Sequence, residues 1–142
     1  MTILQTLEAW RDERATLERA PRSLEGLAAL VNLDERMVAQ LESLGLPHGG
    51  YTIPPALALA RSADRAVLPI FAQWREERAK LDAAEMALPS SAERYPHAKT
   101  KHALDVRVLE KLEALGCPAW GLQIDAAIAI IEAVCAERDS PN

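Results

Sequence analysis

Cysteine is scarce in this 142-residue chain: Cys117 and Cys135 stand eighteen positions apart, without the C-x-x-C spacing of a zinc or redox site. No disulfide framework is expected, and the two thiols read as small apolar filler. Long apolar runs are missing as well. The chain reaches Glu8 with neither a basic region nor an apolar stretch long enough for a signal peptide or membrane span, so a cytoplasmic location is expected. A basic excess is also lacking. The formal charge is −5, with six basic and nine acidic groups in residues 1–64 and ten and twelve in residues 65–142. Neither half offers the cationic footprint with which proteins hold DNA or RNA.

Catalytic signatures are absent in the same way. No glycine-rich phosphate loop leads into Lys-Ser/Thr, no Gly-x-Ser-x-Gly occurs, and no Glu-x-x-His stands ready to build a di-metal site in a helical bundle. No metal and no cofactor are expected, and the reading leans away from an enzyme. Apolar residues make up 49% and charged residues 26%, a globular composition. A chain of this length buries roughly two thirds of its unfolded surface.

The most informative feature present is internal repetition. Leu4, Trp10, Arg11, Glu13, Arg14, Ala15 and Leu17 return in order as Leu68, Trp74, Arg75, Glu77, Arg78, Ala79 and Leu81. Asp34, Arg36, Leu41, Glu42, Leu44, Gly45, Pro47, Gly50 and Ile53 return as Asp105, Arg107, Leu112, Glu113, Leu115, Gly116, Pro118, Gly121 and Ile124. This predicts a tandem duplication of a three-helix unit, residues 1–64 and 65–138, packed into one all-α six-helix bundle with pseudo-twofold symmetry and a frayed tail at 139–142.

Helical spacing places the first helix from about Thr2 to Arg19, along Ile3, Leu7, Trp10, Arg14 and Leu17. Pro21 ends it. Ser23 caps a second helix carrying Leu27, Leu30, Val31, Asp34, Met37, Val38, Leu41 and Leu44, which stops at Gly45 and Pro47. After a His48-Gly49-Gly50 turn, a third helix spans roughly Pro54 to Ala63. The second unit repeats the plan at about Leu68–Ala87, Lys101–Leu115 and Leu122–Glu137. The third helix of each unit is apolar nearly all round, so the two are expected to meet at the centre.

The units differ most between their first two helices, where the second has gained about seven residues. The segment Leu88 to Thr100 reads as a long loop of the kind that often carries function. Arg94, His97, Lys99, Lys101 and His102, with Tyr95 among them, form the one basic cluster in the chain. Such a group suits an acidic partner, a phosphate or a carboxylate. The plainer alternative is a solvated loop leading into the next helix. His97 and His102 make a poor metal pair, because an i,i+5 spacing leaves one helical face. Trp120 stands in a turn where the first unit has Gly49, as an interface anchor or as a lid over the bundle end. The repeated Trp-Arg-x-Glu-Arg segment reads as packing, with Arg14 and Arg78 lying over the indoles or pairing with Glu18 and Asp82.

Phe71-Ala72-Gln73-Trp74-Arg75 with Leu81-Asp82, then Leu109-Glu110-Lys111-Leu112-Glu113, then Pro118-Ala119 before Gly121-Leu122, resemble small helical proteins of alphaproteobacterial and prophage-associated genes. The resemblance covers about half the chain and departs from that pattern at Cys117 and Trp120 and in being doubled. It implies an all-α bacterial or phage protein and carries no functional residues. The expected function is protein binding, as a small acidic cytoplasmic adaptor, accessory or inhibitory protein, monomeric or homodimeric, contacting its partner through Arg94, Tyr95, His97, Lys99, Lys101, His102 and Trp120. One alternative is a small-molecule or anion-binding bundle, an enzyme included, using the cleft between the units. Another is an acidic inhibitor of a host nucleic-acid-binding machine. Direct nucleic-acid or membrane binding is not expected.

Overall fold

A computed structural model describes residues 1–47 and 51–140. His48, Gly49 and Gly50 of the expected turn, and Pro141 and Asn142 of the expected tail, lie outside the described residues. The described residues form six α-helices and no strand: α1 (Ile3–Glu18), α2 (Leu24–Ser43), α3 (Ile53–Ser62), α4 (Leu68–Met86), α5 (Ser91–Ala114) and α6 (Ile124–Asp139), with a single 3-10 turn at Arg65–Val67 before α4.

Local chemistry sets the boundaries. Thr2 and Gln5 form a reciprocal capping box at the start of α1: Gln5 N donates to Thr2 Oγ1 at 3.1 Å and Thr2 N to Gln5 Oε1 at 2.9 Å. Ser23 Oγ accepts from Gly26 N at 2.9 Å at the start of α2. Both α2 and α5 end in the same hydrogen-bonded turn. Gly45 and Gly116 take φ of 100° and 83°, and the following amides, Leu46 N and Cys117 N, donate back to Leu41 O and Leu112 O at 3.0 Å. This satisfies carbonyls that the helix end leaves open, in a conformation that glycine enters without strain.

α1 and α2 form one helical hairpin and α4 and α5 another; α3 packs on α1, α6 packs on α4, and α3 packs on α6. The apolar third helices therefore lie at the centre, as their composition predicts. Ala56, Leu57, Leu59 and Ala60 of α3 and Ala127, Ile130, Ile131, Val134 and Cys135 of α6 are buried in one continuous core with Ile3, Leu7, Leu41, Phe71 and Leu112. Alanine at 56, 60 and 127 allows close approach of the central helices. Two polar contacts lock this centre at its ends. The Glu137 carboxylate accepts from Ile3 N at 3.1 and 3.0 Å, placing a negative charge at the N-terminus of α1. Arg138 donates to Ala63 O and Ala60 O at 2.5 and 3.4 Å, covering the carbonyl end of α3.

One expectation is corrected. The Leu88–Thr100 loop is helical from Ser91 onward: Ser90 Oγ accepts from Glu93 N at 3.3 Å and α5 runs unbroken through Pro96 to Ala114. Pro96 lies near the start of a 24-residue helix, where the bond it cannot donate is one among many. α4 has 19 residues against 16 in α1, and α5 has 24 against 20 in α2, so the seven added residues lengthen the helices. Asp139 is the last residue of α6 and pairs with Arg65. Finally, α2 does not bury all of its apolar positions: Leu33, Met37 and Leu41 face the core, whereas Leu27 and Val31 are exposed.

Candidate functional site

The repeated Trp-Arg-x-Glu-Arg segments build a pair of matching staples. In the first hairpin Asp34 Oδ1 accepts from Trp10 Nε1 at 2.8 Å, and its two oxygens accept from Arg14 Nη1 at 2.8 and 2.7 Å. In the second, Asp105 Oδ1 accepts from Trp74 Nε1 at 2.8 Å and Oδ2 from Arg78 Nη1. Arg14 also pairs with Glu18 at 2.9 Å and Arg78 with Asp82 at 3.6 Å, as the i,i+4 spacing predicts. Sequence reasoning missed the principal partner, a carboxylate on the opposite helix. Its signal was present: Asp34 and Asp105 recur within otherwise apolar spacing. Each carboxylate accepts from an indole N–H and a guanidinium on the facing helix, which makes the staple a packing device.

The seven residues singled out from sequence do not converge. Arg94 Nε and Nη2 donate to Leu88 O at 3.0 and 2.8 Å, closing the α4–α5 turn. Lys101 Nζ bridges Asp82, at 3.0 Å, and Glu85. Hydrogen bonds to Glu85 and then Asp82 hold its pKa above the usual lysine value, and Lys101 in turn lowers that of Asp82. Tyr95 is exposed with Lys99 Nζ 5.1 Å from its ring centroid, a weak solvent-facing cation–π pair. His97 is half-buried and His102 exposed. Trp120 is 40% exposed, tied by Nε1 to Glu113 Oε2 at 3.2 Å. Glu113 is near the far end of α5, roughly 27 Å from Tyr95 at helical rise, so Trp120 and the basic cluster occupy opposite ends of the molecule.

A polar cleft of about 480 Å³ lies between the end of α3 and the end of α6, where three guanidinium groups gather. All three are engaged: Arg138 on the α3 carbonyls, Arg65 with Asp139, and Arg61 at 3.8 Å from Glu8. Asp64 and Asp139 line the same cleft and offset most of its positive charge. Beneath it Cys117 is buried, hydrogen-bonded by the Ser62 side chain and the Asp64 backbone; burial raises its pKa. Among the described residues no cluster of three or more His, Cys, Asp or Glu side chains is arranged to hold a metal ion, and no helix is long and apolar enough to cross a membrane.

The surface feature that stands apart is on α2. Leu24, Leu27 and Val31 are 86, 59 and 54% exposed, on one strip at i, i+3 and i+7. Beside the strip a groove of about 520 Å³ is lined by Leu17, Pro21, Gly26, Leu27 and Leu30 together with Glu18, Arg22 and Ser23. Seventy-one positions on, at the offset that relates Asp34 to Asp105, α5 carries Tyr95, Ala98 and His102 in place of Leu24, Leu27 and Val31, and Lys101 in place of Leu30. The same helical face is thus apolar in one hairpin and polar in the other, while Leu33 and Leu104, and Leu41 and Leu112, are buried in both. Packing demands explain the second set and not the first. Sequence carried this signal too, because the apolar positions of α2 span a wider arc than one buried face needs.

In comparisons with known proteins, the chain matches no protein-family model, no curated protein and no solved structure.

Proposed function

We propose that this chain is a small protein-binding module, a cytoplasmic adaptor, accessory or inhibitory protein, that arose by duplication of one three-helix unit and kept the two units as a pseudo-twofold scaffold. The residue-by-residue recurrence, the two Trp–Asp–Arg staples and the two glycine turns support the duplication. The phage-related origin implied by the resemblance fits such a role. In this reading the outer face of the second helix of each hairpin is the variable part. On α5 it is polar, with Tyr95, Lys99 and His102; on α2 it is apolar.

The observation that carries the reading is the Leu24–Leu27–Val31 strip. Isolated exposed apolar side chains are ordinary, but two leucines and a valine in register beside a groove form a patch of roughly 400 Å², the size of the largest patch on a typical monomer and often functional. An apolar helix strip read at i, i+3 and i+7 is the geometry of helix-in-groove recognition. The test is a photoreactive side chain at position 27, with position 110 on α5 as control. A specific adduct from position 27, lost on Val31→Asp, is expected. Equal labelling at both positions, or an adduct indifferent to Val31→Asp, would refute the reading.

A further inference from the structure

We infer that the apolar strip of α2 is covered by the same strip of a second copy of this chain, the two α2 helices lying antiparallel about a twofold axis near Leu27 and Ala28. This inference rests on the protein-binding reading above and names the partner. The strip is self-complementary in charge. Arg19 and Arg22 are exposed at its N-terminal end, and Glu35 is exposed one turn beyond Val31 at the other; none of the three forms an ion pair with a described residue. Other charges on this helix are displaced or occupied. Glu25 lies about 100° round the helix from Leu24, Arg36 is paired with Glu13 at 2.6 Å, and Asp34 is held in its staple.

Antiparallel pairing sets Leu24 against Val31 of the second copy, and Leu27 against its Ala28. It also brings each Arg22 within side-chain reach of Glu35 on the opposing helix. A parallel arrangement would instead align arginine with arginine and glutamate with glutamate. Such an interface is isologous, as a closed dimer requires. Two patches of roughly 400 Å² with their polar rims bury about 1,200 Å² in total, the lower bound for a specific interface. In the second hairpin, Lys99 and His102 on the corresponding face of α5 disfavour the same pairing, which limits assembly to two copies.

The test is sedimentation velocity on the full chain from about 1 to 500 μM, with circular dichroism to confirm folding of each variant. A reversible dimer is expected, abolished by Val31→Glu. Arg22→Glu and Glu35→Arg should each weaken it about tenfold, as two symmetry-related exposed pairs would, and the double variant Arg22→Glu/Glu35→Arg should recover it. A monomer at every concentration overturns the inference. So does a dimer that survives Leu24→Glu/Val31→Glu, which would use another surface, or charge variants that neither weaken nor restore. A chain that stays monomeric yet gives a specific adduct from position 27 to another protein would keep the protein-binding reading and remove the second copy as its partner.

Discussion

Replacing Asp105 by alanine probes the staple of the second hairpin most directly. The substitution leaves Trp74 Nε1, on a side chain that is 96% removed from solvent, without its acceptor; an unsatisfied buried donor costs about 1–3 kcal/mol. It also strips Arg78 of its shorter ion pair, although Asp82 remains at 3.6 Å. With both side chains partly solvated, that loss is worth about 0.5–1 kcal/mol. The total is about 1.5–4 kcal/mol. In urea, with m near 2 kcal/mol/M for a chain of this size, the midpoint should fall by about 1–2 M with m unchanged. Asp34→Ala should be milder, because the Asp34 side chain is 37% exposed against 23% for Asp105, and water can replace part of what is lost. A double-mutant cycle isolates the hydrogen bond. Trp74→Phe removes the donor, so Asp105→Ala in that background should cost about 1–2 kcal/mol less than in the parent. Additivity within about 0.3 kcal/mol would show that the indole contact contributes nothing, and the staple would then be only an accident of packing.

Three further outcomes follow from the geometry. Pro96→Ala should stabilise the chain by about 1–2 kcal/mol, because the alanine amide regains the helical bond to Ala92 O and the strain of the proline ring is relieved; a destabilised variant in the same urea assay would mean that residues 91–100 are not helical. The Lys101 bridge predicts a pH signature. Asp82 has a folded pKa below its ordinary 3.8, so its contribution is present above that value and fades as pH falls through the lower folded pKa; Lys101 has a folded pKa above 10.5, so its contribution is complete below that value and is lost as pH rises through the folded one. The stability gap between the parent and Lys101→Met should therefore be flat from about pH 5 to 9 and close at both extremes, and a gap that closes near neutrality would refute the assignment. Burial raises the Cys117 thiol pKa, so it should react with a thiol reagent at neutral pH only on unfolding, and rapid stoichiometric labelling of the native chain would contradict its placement.

The fold was legible because most of its determinants are local. Ser23, Gly45, Gly116 and the prolines at 47, 54 and 69 mark helix ends through backbone chemistry that operates within one turn. The all-apolar character of α3 and α6 placed them at the centre for a reason that does not depend on partners. What sequence misjudged depends on context. Pro96 is a helix breaker by propensity, yet Ser90 caps the helix ahead of it, Arg94 closes the turn before it and Lys101 ties the segment to α4, so these contacts outweigh the local preference. The basic cluster looked like one site because its members are adjacent in the chain. Once residues 91–102 wind into a helix they point in different directions, and Arg94 and Lys101 are engaged by structural partners, Arg94 at the surface and Lys101 largely withdrawn from solvent.

The same logic relocates the asymmetry between the two units. Seven added residues in the second hairpin drew attention to an insertion, but they lengthen α4 and α5 and leave the connection about as short as in the first hairpin. The consequential difference has no gap to mark it. It lies in four aligned positions, Leu24, Leu27, Leu30 and Val31 against Tyr95, Ala98, Lys101 and His102. In the second hairpin Lys101 fills the space beside α4 with ion pairs to Asp82 and Glu85. In the first, Glu18 is engaged by Arg14 and Pro21 stands where α4 has Glu85, so Leu30 lines an open groove with Leu27 beside it. A scaffold that tolerates charge at these positions in one hairpin does not require leucine and valine in the other. Their place on a solvent-facing strip is what the proposed second copy would account for, and the exposed arginines and glutamate at its two ends are the charges on which that proposal turns.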